Sequence, residues 1–157
     1  IIYSGTVAAA TEGRHLGLPA IAVSLVNNGH FHYETAARVV RLLLEQRRYL
    51  ALGPRSILNV NVPDLPWSEL AGIQVTRLGH RDRAEGVVPV TCPRGKRRYW
   101  IGAAGGGGDA GPGTDFHAVQ NGFVSVTPVH IDMTRHEAMT RLQDWVDDLE
   151  GFGEVSQ

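Results

Sequence analysis

Apolar residues follow two different periods along this chain. Residues 20–25, Ala-Ile-Ala-Val-Ser-Leu, are almost uninterrupted apolar between Pro19 and Asn27-Asn28-Gly29. Such a run suits a strand covered on both faces of a parallel sheet. Residues 33–47 instead place Ala36, Val39, Val40, Leu43 and Leu44 on one helical stripe, and Gly53-Pro54 closes that unit. Over residues 56–62, Ile57, Leu58, Val60 and Val62 alternate with polar partners, which predicts a second strand stopped by Pro63. Ahead of these, residues 7–16 have Ala-rich helical composition, with Ser4 as cap and Gly17 as stop. This helix–strand–helix–strand order predicts two neighbouring parallel strands at 20–25 and 57–62.

The pattern changes after Pro66. Residues 73–78 and 97–101 read as strands joined by a polar connection through Pro89 and Pro93, a long hairpin or extended arm. Residues 105–108 read as a flexible loop. Residues 123–131 form another strand, and Pro128, with no N–H to donate, predicts an edge position or a bulge. Residues 134–149 predict a helix capped by Thr134, with Met139, Leu142, Trp145, Val146 and Leu149 as its apolar face. The expected class is α/β: the second half of a Rossmann-like parallel sheet, then a β-rich extended arm and a C-terminal helix. The corresponding division is 1–66 for the core half, 67–130 for the arm and return strand, and 131–157 for the helix and tail.

Composition narrows the partners more than the fold. The 157 residues carry a net charge of −1, which argues against a nucleic-acid polymer or a membrane surface as partner. A hydrophobic content of 43% is enough for a buried core. Cys92 is the single cysteine, so an internal disulfide is excluded, and a reducing, cytoplasmic location is expected. No apolar run reaches the ~18 residues that span a bilayer. Residues 1–25 lack a basic start and carry Glu12 and Arg14, unlike a signal peptide.

The leading candidate for chemistry is Ser4-Gly5-Thr6. Small residues on a helix N-terminus present free N–H groups and the positive end of a dipole, where an anion binds; an ordinary N-cap uses the same residues. Gly111-Pro112-Gly113-Thr114-Asp115 is a glycine-rich turn in which Asp115 either approaches a site or caps the turn. Asn59 and Asn61 lie at the end of a predicted strand, facing a ligand crevice or locking a neighbouring loop. His30 and His32 lack a carboxylate at ligand spacing and are expected to serve the loop. The basic run Arg94, Lys96, Arg97 and Arg98 is expected at a solvated hairpin tip.

Several blocks occur in one order: Tyr3-Ser4-Gly5-Thr6-Val7-Ala8-Ala9-Ala10, Gly17-Leu18-Pro19-Ala20-Ile21-Ala22-Val23-Ser24, His32-Tyr33-Glu34-Thr35-Ala36-Ala37 and Leu58-Asn59-Val60-Asn61-Val62-Pro63. Tyr99-Trp100-Ile101-Gly102, Gly113-Thr114-Asp115 and Gly122-Phe123-Val124-Ser125-Val126-Thr127-Pro128 follow. Together they resemble the later part of the SurE family, the stationary-phase survival proteins. The resemblance implies a metal-dependent nucleoside monophosphate phosphatase, a 5′/3′-nucleotidase. It implies that Ser4, with the amides of Gly5 and Thr6, contacts the substrate phosphate, and that Thr114 and Asp115 belong to an active-site loop. It also implies a homo-oligomer, dimer or tetramer, assembled through extended arms. The divalent ion, Mg²⁺ or Mn²⁺, is held in the family by early aspartates, an early serine and an asparagine without counterparts here, so no metal ligand is assigned. The expectation is a segment lacking roughly 100 preceding residues and inactive by itself. The alternative is an inactive piece serving only oligomerisation or phosphate binding.

Overall fold

The computed structural model describes all residues except 47–49, 51, 54, 83–85, 103–104 and 150–157. A four-stranded sheet in the order β1-β2-β8-β3 forms its centre. Strand β1 (Ile21–Val26) runs parallel to β2 (Ser56–Pro63) in the register Ala22–Asn59 and Ser24–Asn61. This is the predicted neighbouring pair. Strand β8 (Phe123–His130) is antiparallel to β2 and parallel to β3 (Gly72–Val75). The sheet is therefore mixed, with two parallel pairs meeting at an antiparallel seam.

Period-2 alternation gives the sheet two unlike faces. On one, Leu58, Val60, Val62, Val124 and Val126 form the core with Val39 of helix α2 (Tyr33–Glu45). Ile21, Val23 and Leu25 of β1 pack against the same cluster. Each such buried side chain contributes about 1.5–3 kcal/mol, and α2 keeps its place by closing this face. On the other face the register aligns Ser24, Asn61 and Ser125 in one row, and Ala22, Asn59 and Thr127 in the next. Helix α1 (Gly5–Gly13) lies against β1 and β2, while α3 (Asp115–Gln120) lies against β8 and β2.

Helix α1 starts two residues before the predicted 7–16 span, because the Val7 N–H donates to Ser4 Oγ at 3.3 Å. It tightens into a 3₁₀ turn at Arg14–Leu16 and stops at Gly17, whose φ of 77° favours glycine. Helix α2 ends at Glu45, and the end of the predicted 33–47 span falls outside the described residues. Pro63 does not stop β2 but is its last residue, paired with Val26.

Pro128 is not on an edge strand, since β8 lies between β2 and β3. Its partner Leu58 donates its N–H away from β8, to the Ala20 carbonyl at 2.9 Å. On the other flank β3 ends at Val75, opposite Val126. The last bond on that flank runs from the Thr76 N–H to the Val126 carbonyl at 3.0 Å, so Pro128 sits where the ladder with β3 ends.

The arm contains two ribbons. Strands β5 (Val88–Thr91) and β6 (Arg97–Trp100) form a hairpin whose tip carries Arg94 and Lys96. At its base β4 (His80–Arg81) pairs with β7 (Gly107–Asp109). The predicted strand at 73–78 accordingly pairs with β8 rather than with the hairpin. The loop expected at 105–108 is corrected as well: its second half begins β7. Gly107 leaves no room for a larger residue there, since a Cβ on it would lie 2.7 Å from Ala110 Cβ. Thr134 is not a helix cap. Asp132 Oδ1 accepts the Thr134 N–H at 2.9 Å and Oδ2 bonds the His136 ring, so a 3₁₀ turn precedes α4 (Met139–Asp147). The predicted apolar face of α4 is open to solvent, Trp145 being 58% exposed.

Candidate active-site cleft

A cleft of about 490 Å³ opens over the polar face of the sheet, between α1 and α3. Its size is within the range of small-molecule sites. Ser24, Asn59 and Asn61 form the floor, Ser4 and Val7 one wall, and Gly79, His80, Arg81, Asp115 and Phe116 the other. The carboxyl ends of two parallel strands meet here, where open α/β sheets place ligands.

At the first wall, Ser4 both caps α1 and lines the cleft. The Gly5 and Thr6 N–H groups have no protein acceptor among the described residues. Those two residues lie beside the cleft rather than in its lining. At the opposite wall, Asp115 Oδ1 accepts the N–H groups of Gly79 at 2.7 Å and Phe116 at 3.0 Å. Gly79 cannot be enlarged: a Cβ would lie 2.4 Å from the Phe116 ring and 2.6 Å from the Asp109 carbonyl oxygen. Arg81 brings a cation to the rim, its guanidinium 5.1 Å from the Phe116 ring centroid and donating to the Gly105 carbonyl at 3.2 Å. Thr114 is fully buried and outside the cleft. Its Oγ1 donates to the Gly111 carbonyl and accepts the His117 N–H, capping α3.

Asn59 locks no loop. It is 4% exposed, and its side chain has no hydrogen-bond partner among the described residues. No buried side-chain nitrogen or oxygen among the described residues lacks a partner, so the unpaired Asn59 carboxamide is reached through the cleft and is available to whatever fills it. The loop lock is Asp64, a residue the sequence pattern did not single out. Its fully buried carboxylate accepts the N–H groups of Asn28, His30, Phe31 and His32 and meets His32 Nδ1 at 3.0 Å. Burial pushes this carboxyl upward, but the four backbone donors, His32 foremost, outweigh burial and hold it well below the usual range. They also hold Phe31 at φ 62°, a left-handed conformation uncommon for a bulky residue. The only advance signal was an Asp at the carboxyl end of a strand.

A second cavity of about 500 Å³ lies beyond this loop, lined by Phe31, Tyr33, Arg38 and Trp67 among others. Arg38 is already spent over the Trp67 ring at 4.2 Å.

The cleft does not fit a hard divalent ion. It offers one carboxylate, Asp115, already bonded to two N–H groups, whereas such ions take six or more oxygens, usually including several charged ones. Among the described residues no three His, Cys, Asp or Glu side chains converge.

A family model for the survival protein SurE matches residues 1–85, more than half of the chain. The chain belongs to the SurE family. A 5′-nucleotidase SurE from Marinobacter nauticus is 81% identical over 150 residues, covering 96% of this chain and 59% of that protein. A 5′-nucleotidase SurE from Halorhodospira halophila is 58% identical over 148 residues, covering 94% and 59%. The crystal structure of the SurE protein from Aquifex aeolicus superposes with a TM-score of 0.75 at 41% identity, covering 94% of this chain and 59% of that one. The chain thus spans about 59% of the length of the SurE proteins it matches, and the α/β architecture is that of a solved SurE structure.

Proposed function

We propose that this chain supplies the phosphate-binding half of a nucleoside monophosphate phosphatase, a 5′/3′-nucleotidase. The observation that carries the reading is the cleft itself: a capped helix N-terminus with two free amides stands beside a floor of unpaired polar side chains. The Gly5 and Thr6 amides and the Ser4 hydroxyl donate to the phosphoryl oxygens, and the helix dipole favours their charge. Arg81 adds a cation at the rim. These donors are set before substrate arrives, so they stabilise charge that builds up in phosphoryl transfer without reorganising. Thr114 and Asp115 act indirectly, by holding the strand from Gly79 to Arg81 against α3.

The Mg²⁺ or Mn²⁺ ion implied by the resemblance would take its ligands from outside this set of residues. The names of the relatives, 5′-nucleotidase SurE, support the substrate class. The test is phosphate release from nucleoside 5′- and 3′-monophosphates by the full-length protein, beside residues 1–157 alone. Release by the first and not the second fits the proposal. A full-length protein that binds phosphate without turnover favours a binding piece.

The division at 66 and 130 and a cytoplasmic setting belong to the same reading; no described helix is long and apolar enough to cross a membrane. So does a dimer or tetramer. Tyr99, Trp100 and Trp145 are 58–71% exposed on the arm and α4, and such surfaces gain stability on another subunit. Replacing residues 83–94 with Asn-Gly should reduce the oligomer in sedimentation; an unchanged oligomer removes the arm from assembly.

A further inference from the structure

We propose that Ser24, Asn59 and Asn61 recognise the sugar hydroxyls of the nucleotide, an inference that rests on the nucleotidase reading. Polar side chains run across this face of the sheet, yet they divide into two groups. On the β8 side Thr76 Oγ1 bonds Ser125 Oγ at 2.8 Å and Thr127 Oγ1 at 2.6 Å, so those hydroxyls satisfy one another. On the β1–β2 side Ser24, Asn59 and Asn61 have no side-chain partner among the described residues. The register places Asn59 beside Thr127 and Asn61 beside Ser125, one strand away from the satisfied group. The unpaired three are the ones that floor the cleft.

Their chemistry separates the two ends of a nucleotide. A carboxamide offers both a donor and an acceptor, and a hydroxyl does the same. A phosphate dianion presents acceptors only, so it could use the Nδ2 donors of these amides but would leave their Oδ1 acceptors unmatched. Sugar hydroxyls donate and accept, which matches a neutral floor. The anion finds donors alone at Gly5, Thr6 and Arg81. A site built to bond a substrate hydroxyl rejects the analogue lacking it far more strongly than an apolar pocket rejects a missing methylene, because the buried polar groups are then left unpaired.

The experiment measures kcat/KM of the full-length protein for a ribonucleoside 5′-monophosphate, its 2′,3′-dideoxy analogue and phenyl phosphate, which has no sugar. The wild type should prefer the ribonucleotide over the dideoxy analogue by about tenfold or more. Asn59→Ala should lower the ribonucleotide-to-phenyl-phosphate ratio about tenfold, chiefly through KM, and should erase most of the hydroxyl preference. Asn61→Ala, at a half-buried position, gives the same reading if Asn59→Ala fails to fold. Equal wild-type rates on the ribo and dideoxy substrates overturn the inference, as does a ratio unmoved by either substitution. Phosphate release with such an unmoved ratio leaves the nucleotidase reading standing. No release from any phosphate ester removes both.

Discussion

The two faces of the central sheet carry the same backbone ladder and opposite chemistry. Beneath α2, Leu58, Val60, Val62, Val124 and Val126 pack into one apolar cluster with Val39. One residue over on the same strands, Ser24, Asn59, Asn61, Ser125 and Thr127 make a polar surface under α1 and α3. A sheet selected for stability alone would carry apolar residues on both covered faces. The polar face is closed where its hydroxyls pair and open to the cleft where its amides have no partner. The open part coincides with a cleft beside the N-terminus of α1, whose Gly5 and Thr6 amides have no protein acceptor among the described residues.

The contrast is broken most severely on the apolar side. Leu58→Ala should cost about 2–5 kcal/mol of stability by opening a cavity against Val39. Denaturant titration reads the loss, and turnover per folded molecule should stay near wild type. A large loss of turnover with little loss of stability would erase the division of labour.

At the cleft, Ser4→Ala in the full-length protein should reduce kcat/KM by an amount worth about 1.5–3 kcal/mol if its hydroxyl bonds phosphate. The cap alone is worth ~1 kcal/mol of stability. An unchanged kcat/KM with a lowered unfolding midpoint returns Ser4 to capping.

The loop that leads into α2 tests how the apolar face is closed. Asp64 has a folded-state pKa far below its unfolded value near 4. Its contribution is therefore complete above about pH 4 and is lost as pH falls toward the folded value. Asp64→Asn should flatten that acid limb and speed amide exchange at residues 28–32 by about tenfold or more. An acid limb unchanged in the variant would assign acid sensitivity to other carboxylates.

The smallest effect belongs to the paired hydroxyls. Thr127→Val removes one bond of the Thr76 group and should cost about 1 kcal/mol. Substrate preference should not move, in contrast to Asn59→Ala. A shifted preference would extend the ligand floor across β8.

The apolar periods identified β1, α2 and β2 in advance because a covered strand and an amphipathic helix each impose their period on a few consecutive residues. Ser4 as a cap and Gly17 as a stop were legible for the same reason, since both act within one helical turn. Local rules misjudged β8, β7 and the start of α4. Whether Pro128 can sit between two strands depends on where β3 ends, and whether residues 107–109 form a strand depends on their pairing with β4. Neither neighbour is close in sequence.

The same division holds for the site. Ser4-Gly5-Thr6 marked a candidate anion site because helix caps are built from consecutive residues. Asp64 escaped notice because its four donors lie more than thirty positions upstream. Asn59 and Asn61 were ambiguous between ligand and loop; register places them beside Ala22, Ser24 and Ser125 on the cleft floor. Short-range patterns of side-chain type were enough for β1, α2, β2, the Ser4 cap and the family resemblance. Only the tertiary structure decided which polar groups are satisfied, because pairing depends on what the folded chain brings within about 3 Å, and that is a property of long-range register.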